Sequence, residues 1–236
     1  MTKYASNDFL ALKISYINEI ANFCEIVGAD IEEVARGMGM DRRIGSNFLK
    51  AGIGYGGSCF PKDTKALNFQ SDHAGVKLKT VKATIDVNRE QRTRLIDKAR
   101  RFFPTFRDVR VAIIGLTFKP GTDDLREAPA KQNIDILLNE GADIIAWDPL
   151  GVENFRKRYP NCAINFAKDI DEALTDADVC LIMTEWEKIV EYPLDNYKKY
   201  MKRPLVFDGR NCYKLSEAEK HEIFYDSIGR KIVDTL

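Results

Sequence analysis

The residues of this 236-residue chain that are best suited to chemistry lie together at Cys59, Lys62 and Asp63. Pro61 favours the first turn of a helix, where its missing N–H costs nothing, and Ser58 or Cys59 can cap that helix. The Cys59 sulfur would then lie at the positive end of a helix dipole, close to the Lys62 ammonium, and both effects favour the thiolate. Asp63 lies one turn further on the same helix face and could hold a water or a proton. The spacing therefore predicts a reactive cysteine with an acid–base partner.

A glycine-rich stretch precedes this group and contains Gly52, Gly54, Gly56 and Gly57. Glycine lets the backbone adopt conformations closed to other residues and lie close against a ligand. The spacing matches the G-x-G-x-x-G pattern of dinucleotide-binding loops, but residues 48–51 are too short and too mixed for the β-branched strand that must precede one. We therefore expect the glycines to line a substrate. The alternative is a plain surface loop before a helix with a structural cysteine, since free cysteines are usually buried.

The segment FLKAGIGYGGSCFPKDTKAL, residues 48–67, resembles the active-site segment of the UDP-glucose/GDP-mannose dehydrogenase family. Residues 117–127, TFKPGTDDLRE, match the family motif T-F-K-P-x-T-D-D-x-R-E. The resemblance covers nearly the whole chain and is strongest to bacterial members that oxidise UDP-glucose. It implies two NAD-dependent steps that convert UDP-glucose to UDP-glucuronate through a cysteine thiohemiacetal and thioester. The family's N-terminal NAD-binding domain has no counterpart in this sequence, so we expect the chain alone to be inactive.

The resemblance implies a role for each chemical residue. Cys59 would be the nucleophile, and Asp63 would position the hydrolytic water. Lys3 and Asn7 lie four residues apart and share a helix face, and the resemblance implies that they hydrogen-bond the oxygen that gains charge. Without the resemblance, a solvated Lys/Asn pair is the simpler interpretation. The resemblance also implies that two cations contact NAD, Lys62 beside the cofactor and Arg126 at its pyrophosphate.

Further residues are implied to bind the UDP-sugar, largely through the backbone of the loop before Cys59 and through side chains at strand ends. These residues are Phe48, Leu49, Lys50, Ala51, Gly52, Gly56, Phe60, Phe118, Lys119 and Arg210. Arg43 matches a family arginine that crosses a dimer interface to the partner's ligand, which implies a homodimer formed through the helical part. Without the resemblance, charged residues in such loops are most simply interpreted as solvated.

Apolar periodicity predicts the helices that position these groups. A helix over residues 2–27 carries a wide apolar surface and ends at Gly28. That surface is too wide for an exposed helix, so we expect it to pack on its own domain and on a further surface. A short helix capped by Asp30 is predicted over 31–36, and a long one over 76–103. Pro104 marks a boundary, so we predict an all-helical domain over residues 1–104, which the resemblance identifies as the central dimerisation domain.

From residue 109 onwards, short apolar runs alternate with helical stretches. Strands are predicted at 109–115, 143–147, 163–166, 178–183, 205–207 and 222–225, and helices at 129–140, 152–159, 170–175 and 194–201. This alternation predicts an α/β, Rossmann-like domain with a doubly wound parallel sheet over residues 105–236, whose ligands lie at the carboxyl ends of the strands. The loop after the first strand lacks the dinucleotide glycine spacing, so we do not expect this sheet to bind NAD in the usual way.

The composition excludes several classes of protein. Lys plus Arg and Asp plus Glu both number 36, and this zero net charge argues against nucleic-acid and membrane-surface partners, which need a basic field. No apolar run reaches transmembrane length. Five scattered cysteines without a C-x-x-C pair, together with two histidines, argue against disulfides, a metal site and a Ser-His-Asp triad. We expect a cytoplasmic protein, where thiols stay reduced.

Three other functions stay open at this stage. The chain could belong to a dehydrogenase for GDP-mannose or an N-acetylated UDP-sugar, although Ser58 before Cys59 argues against relatives that carry His-Cys there. It could be a non-catalytic module for nucleotide-sugar binding or dimerisation. A cysteine hydrolase has the least support, because neither His73 nor His221 neighbours Cys59 in sequence.

Overall fold

The structure is a computed structural model and describes residues 1–235. Its first half is helical and is organised around α1, Thr2–Val27, which ends at Gly28 in the left-handed conformation (φ 74°), as predicted. Four further helices follow: α2 Ile31–Gly39, α3 Cys59–His73, α4 Lys79–Gln91 and α5 Arg94–Ala99. Helices α2, α3 and α4 pack against α1. No helix of residues 1–235 combines the length and the apolar composition that crossing a membrane requires.

The prediction of one helix over 76–103 was wrong, because the chain forms α4 and α5 with a break at residues 92–93. The Arg92 carbonyl accepts a hydrogen bond from Asn133 Nδ2 at 2.8 Å. A carbonyl turned towards a distant side chain does not continue the helical ladder, and the β-branched Thr93 does not favour helix. This break depends on a contact 41 residues away in sequence.

The second half contains a sheet of six parallel strands in the order β3-β2-β1-β4-β5-β6. The strands are β1 Arg110–Ile114, β2 Asp143–Trp147, β3 Asn165–Phe166, β4 Val179–Ile182, β5 Leu205–Asp208 and β6 Phe224–Ser227. The helices are α6 Pro129–Asn139, α7 Val152–Arg158, α8 Ile170–Leu174, α9 Glu187–Val190, α10 Asp195–Tyr200 and α11 Leu215–Lys220. The doubly wound α/β prediction is confirmed. The short α9 and α11 were not predicted.

The strand order reverses between β1 and β4, which pair directly, with Ile114 opposite Ile182. In a doubly wound sheet, ligands bind outside the carboxyl ends of the strands at such a switch point. The loops that follow β1, β4 and β5 therefore lie at the edge of the sheet where a ligand site is expected.

Two apolar cores cover the two faces of the sheet. One joins Ile17 and Ala21 of α1 to sheet residues such as Ile113 and Phe207, so the helical half and one sheet face share a continuous core. The other lies on the opposite face, under helices α8 to α11. The division into two domains at residue 104 stays a prediction.

A buried ionic cluster also connects the helical half to the sheet. Lys98 Nζ of α5 lies 2.8 Å from Glu25 Oε1 of α1 and 2.8 Å from Asp226 Oδ1 of β6. Burial raises the pKa of Asp226. Burial acts in the same direction at Glu25, but the charge and hydrogen bond of Lys98, together with hydrogen bonds from Gly229 and Arg94, outweigh it and lower the pKa of Glu25. The cluster therefore needs its central cation, because two buried carboxylates would otherwise face each other.

Candidate active site

The loop of residues 47–58 is shaped by buried amide side chains of α1 and α4. The Gly52 N–H donates to Asn18 Oδ1 at 2.8 Å, and the Gly52 carbonyl accepts from Gln91 Nε2 at 2.8 Å. The Tyr55 N–H donates to Asn88 Oδ1 at 2.8 Å. Sequence reasoning did not identify these amides, although a polar residue at a buried helix position was a signal. They satisfy the loop backbone and fix its shape.

Two loop glycines also permit close packing against the loop that follows β1. A Cβ on Gly56 would lie 2.4 Å from the Glu127 carbonyl oxygen and 2.9 Å from Phe118 Cβ. The Gly57 N–H donates to the Arg126 carbonyl at 2.8 Å with φ of 81°. Both glycines therefore allow the two halves of the molecule to pack closely together.

Four predicted catalytic residues come together at the start of α3. Cys59 is the first residue of α3 and is exposed, and Asp63, one turn later, is fully buried. Asn7 Nδ2 donates to Asp63 Oδ2 at 2.6 Å, and Lys3 Nζ lies 3.4 Å from the same oxygen. Lys62 Nζ lies 3.8 Å from Asp63 Oδ1. Residues from α1 and α3 thus converge on one carboxylate next to the thiol.

The electrostatics of this group keep Asp63 ionised. Burial by itself raises the pKa of Asp63, but the hydrogen bond from Asn7 and the charges of Lys3 and Lys62 outweigh it and hold the pKa below its ordinary value of 3.8. Asp63 Oδ1 has no hydrogen-bond partner within residues 1–235. The carboxylate is therefore charged and has one oxygen available to accept a hydrogen bond.

Arg126 lies near the thiol from the sheet side of the site. Its guanidinium binds Asp124 with two hydrogen bonds, at 2.9 Å from Nε and 2.7 Å from Nη2. Asp124 raises the pKa of Arg126, and the Cys59 sulfur adds to this in the same direction. Lys62 and Arg126 are both exposed cations, and each pairs with a carboxylate, Asp63 and Asp124 respectively.

A cleft of about 250 Å³ lies between the 47–58 loop and the carboxyl ends of the strands; within residues 1–235 its lining includes Phe60, the residue after Cys59, but none of the four predicted catalytic residues. Its lining residues are Ile14, Phe48, Lys50, Ala51, Gly54, Tyr55, Gly56, Phe60, Phe118, Glu185 and Arg210. Seven of these eleven were predicted as substrate contacts. Gly54 was also expected to line a substrate, as one of the loop glycines. The unpredicted members are Ile14, Tyr55 and Glu185; Glu185 lies two residues after a predicted strand, which was the available signal.

The other four predicted substrate contacts, Leu49, Gly52, Lys119 and Arg43, are not in the cleft lining drawn from residues 1–235. Leu49 is buried in the core, and Gly52 packs against Gly209, whose carbonyl would lie 2.8 Å from an added Cβ. Lys119 Nζ lies 5.4 Å from the centre of the Phe118 ring. Arg43 is exposed and pairs with Asp41, so its contact with a partner's ligand stays a prediction.

Arg210 is held rigidly in the cleft by backbone groups. Its Nε donates to the Met183 carbonyl at 3.0 Å, and its Nη1 donates to the Gly54 carbonyl at 3.0 Å. The Arg210 N–H donates to Asp208 Oδ1 at 2.7 Å, at the end of β5. A guanidinium fixed in this way is preorganised to bind an anion.

The sheet itself does not fit a dinucleotide at the loop after β1. In dinucleotide-binding sheets an acidic residue in this region takes the ribose hydroxyls. Here Asp148 Oδ2 accepts from the Leu116 N–H at 2.7 Å and from Trp186 Nε1 at 3.1 Å, and Oδ1 accepts from the Gly151 N–H at 2.6 Å. The contact of the exposed cations Lys62 and Arg126 with NAD stays a prediction. Residues 1–235 contain no group of three or more His, Cys, Asp or Glu side chains that could hold a metal ion.

Comparison with known proteins identifies relatives of the whole chain. UDP-glucose 6-dehydrogenase YwqF of Bacillus subtilis is 50% identical over 99% of this chain and 53% of its own length. TuaD, a second UDP-glucose 6-dehydrogenase of Bacillus subtilis, is 44% identical over 99% of this chain and 50% of its own length. A solved UDP-glucose dehydrogenase from the hyperthermophilic archaeon Pyrobaculum islandicum superimposes with a TM-score of 0.85 at 32% identity, covering 95% of this chain and 49% of that one. This chain therefore spans about half the length of the curated relatives it matches.

Family models match both halves of the chain. The central domain of the UDP-glucose/GDP-mannose dehydrogenase family matches residues 1–90. The UDP binding domain of the same family matches residues 112–215. The chain belongs to the UDP-glucose/GDP-mannose dehydrogenase family.

Proposed function

We propose that this chain is the central and UDP-binding part of an NAD-dependent UDP-glucose 6-dehydrogenase, which converts UDP-glucose to UDP-glucuronate. The observation that carries the proposal is the convergence of Lys3 and Asn7 on the buried Asp63 carboxylate, one turn along α3 from the exposed Cys59. This arrangement supplies a nucleophile, two hydrogen-bond donors and a charged acceptor beside one cleft. Those are the groups needed to take an aldehyde to a carboxylate.

The proposed chemistry takes place at C6 of the sugar. Cys59 attacks the C6 aldehyde carbon and forms a C–S bond, while the carbonyl oxygen takes up a proton to give a thiohemiacetal. Lys62 and Arg126 would hold NAD, which would supply the hydride acceptor, one molecule for the C6 alcohol and a second molecule for the thiohemiacetal. Lys3 and Asn7 donate hydrogen bonds to the C6 oxygen as it gains charge. Asp63 Oδ1 orients the water that cleaves the thioester, which releases the carboxylate and restores the thiol.

The cleft next to these residues has the chemistry of a nucleotide-sugar site. Aromatic rings line it, among them Phe48 and Phe60, whose ring centres lie 6.0 Å apart. Lys50 and Arg210 supply cations for a diphosphate. The relatives named above act on UDP-glucose according to their names, which supports the same substrate here. Competition between UDP-glucose and GDP-mannose for the cleft tests this choice against the other sugars of the family.

Alkylation of Cys59 tests the nucleophile and the cleft together. All five cysteines are free thiols in the described chain, as the proposed cytoplasmic location would keep them, so iodoacetamide can report on each. We expect rapid labelling of Cys59 that slows with UDP-glucose, measured by peptide mass spectrometry. The half-buried Cys162 is the internal control and should label at a rate that the ligand does not change. Labelling of Cys59 that UDP-glucose leaves unaffected would contradict the proposal.

The 236-residue chain by itself is expected to bind UDP-glucose without oxidising it. The proposed contacts to the nucleotide-sugar are present in the cleft, whereas the described residues offer NAD only Lys62 and Arg126. UDP-glucose at millimolar concentration should therefore raise the melting temperature. NADH absorbance should not increase when the purified chain is mixed with UDP-glucose and NAD. Measurable turnover would disprove this expectation.

We also propose that the chain forms a homodimer through the outer face of α1. Phe9, Tyr16 and Phe23 recur at seven-residue intervals on this face and remain 61%, 47% and 58% exposed. An apolar row at this spacing is typical of a helix that packs against another helix. Arg43 lies in the exposed turn after α2, where a partner's ligand could be reached across such an interface.

A further inference from the structure

Glu185 is a carboxylate in the cleft that the proposed chemistry does not use. It follows β4, and both of its neighbours are anchored. Thr184 Oγ1 donates to the Thr117 carbonyl at 2.5 Å, and Trp186 Nε1 donates to Asp148 Oδ2 at 3.1 Å. Glu185 thus stands between two residues whose side chains are hydrogen-bonded to other segments, and it lines the cleft.

Two cations approach Glu185 without satisfying it. Lys50 Nζ lies 3.7 Å from Oε1, and Arg210 Nε lies 3.5 Å from Oε2. Within residues 1–235, Glu185 Oε2 and Arg210 Nη2 are both buried atoms that have no hydrogen-bond partner. A buried polar atom without a partner costs free energy, so a ligand that pairs with it is favoured. Glu185 therefore carries an unused acceptor and Arg210 an unused donor, and both residues line the same cleft.

The chemistry of the two groups decides what each can bind. An ionised diphosphate offers only acceptors, so it suits Arg210 Nη2 and is repelled by the Glu185 carboxylate. Glu185 accepts hydrogen bonds only and therefore needs a donor, which in a nucleotide-sugar is a hydroxyl of the ribose or the hexose. Glu185 is not needed to hold Arg210 in place, because the Met183 and Gly54 carbonyls and Asp208 already bind that arginine.

We propose that Glu185 is a specificity-determining residue that accepts a hydrogen bond from a ribose or hexose hydroxyl of the bound nucleotide-sugar, while Arg210 Nη2 binds a phosphate oxygen. The inference rests on the proposed function. A site with a buried hydrogen-bond acceptor for a ligand hydroxyl rejects ligands that lack this hydroxyl, because the acceptor is then left unpaired. The same carboxylate disfavours bare anions, so the cleft selects a glycosylated or ribosylated diphosphate over a simple one.

Calorimetric binding to the full chain tests this inference. The ligands are inorganic pyrophosphate, 2′,3′-dideoxyuridine diphosphate, UDP and UDP-glucose, and the variants are Glu185→Ala and Glu185→Gln. Glu187→Ala is the matched control, because Glu187 is an exposed carboxylate two residues away that does not belong to the cleft lining drawn from residues 1–235. Melting temperatures of all variants establish that they fold.

Glu185→Ala should weaken the ligand that carries the bonded hydroxyl by roughly tenfold or more and leave pyrophosphate binding unchanged or stronger. Glu185→Gln keeps a carbonyl acceptor and should therefore lose less affinity for that ligand than Glu185→Ala. If Glu185→Ala reduces the difference in affinity between UDP and its dideoxy form, the bonded hydroxyl belongs to the ribose. If it reduces the difference in affinity between UDP-glucose and UDP, the bonded hydroxyl belongs to the hexose. Glu187→Ala should resemble the wild type with all four ligands.

Two results would overturn the inference while the wild-type chain still binds UDP-glucose. One is an equal loss for all four ligands, pyrophosphate included, which would give Glu185 the role of supporting Arg210. The other is unchanged discrimination in Glu185→Ala. If the wild-type chain does not bind UDP-glucose at all, the proposed function fails, and the inference fails with it.

Discussion

The candidate active site depends most on Asp63, a charged residue that the fold buries completely. A lone buried carboxylate would be costly, but a 2.6 Å hydrogen bond from Asn7 and the nearby charge of Lys3 compensate. The pairing also fixes where the proposed donors lie relative to Cys59. Stability and chemistry therefore rest on the same three side chains.

Replacement of Asp63 by Asn is expected to lower the free energy of unfolding by about 1.5–3 kcal/mol at neutral pH, since it removes the charge from a buried hydrogen bond. In the folded protein the pKa of Asp63 lies below its ordinary value of 3.8. The stabilisation that ionised Asp63 provides is therefore fully present above pH 3.8 and is lost as the pH falls through the folded pKa. Urea denaturation across this pH range should show the wild-type and Asp63→Asn free energies converging towards acid.

The control for this experiment is Asp72→Asn on the same helix, where the carboxylate is exposed and accepts a hydrogen bond from Asn68 Nδ2 at 3.1 Å. Its free energy of unfolding should stay within about 0.5 kcal/mol of the wild-type value at each pH. A constant difference between the wild-type chain and Asp63→Asn at all pH values would show that ionised Asp63 does not stabilise the fold in this way.

Among the elements, the 47–58 loop has the most specific packing requirements. Buried amides of α1 and α4 bind its backbone from one side, and the loop after β1 contacts it from the other. A Cβ on Gly52 or Gly56 would meet a backbone carbonyl oxygen, that of Gly209 or Glu127, and a backbone atom cannot move aside cheaply. The shape of the cleft follows from this packing.

Gly56→Ala is therefore expected to destabilise the protein by about 1–3 kcal/mol and to weaken UDP-glucose binding, because the added Cβ would lie 2.4 Å from the Glu127 carbonyl oxygen. Gly37→Ala is the matched control. Gly37 lies in α2, and an added Cβ there meets nothing within 4 Å, so alanine should stabilise the helix by up to about 1 kcal/mol. Thermal denaturation and calorimetry measure both effects. Equal melting temperatures for the two variants would contradict the packing argument.

At the scale of the whole molecule, α1 connects all the parts described above. Its inner face shares a core with the sheet, its first turns carry Lys3 and Asn7, and its outer face carries the aromatic row. The expectation that this helix packs on its own domain is confirmed by the buried Ile17 and Ala21. Contact of its outer face with a second subunit stays a prediction.

The double variant Phe9→Glu/Phe23→Glu tests that prediction. Four buried charges per dimer would oppose association, so we expect sedimentation velocity to show a dimer for the wild-type chain and a monomer for the variant. Phe69→Glu on α3 is the control, because Phe69 is 73% exposed but lies outside the row. Circular dichroism should show the same helix content in all three proteins. A wild-type monomer at micromolar concentration would contradict the proposed dimer.

The sequence by itself determined the elements that depend on local patterns. Periodicity and caps predicted α1 and its end at Gly28, and alternating apolar runs predicted all six strands within about two residues at most boundaries. The family resemblance indicated Cys59 and Asp63 within residues 48–67 and the Lys3–Asn7 pair in α1, and the structure brings Lys3 and Asn7 to Asp63. These features were accessible because neighbouring residues in the sequence carry the signal.

Only the tertiary structure decided the features that depend on contacts between distant residues. The break between α4 and α5 involves Asn133, 41 residues from Arg92, and the loop shape requires Asn18 and Asn88 from separate helices. Glu185 has no local motif, and it enters the cleft because β4 lies at the switch point of the sheet. Packing and buried hydrogen bonds join residues far apart in the chain, so no local pattern encodes them.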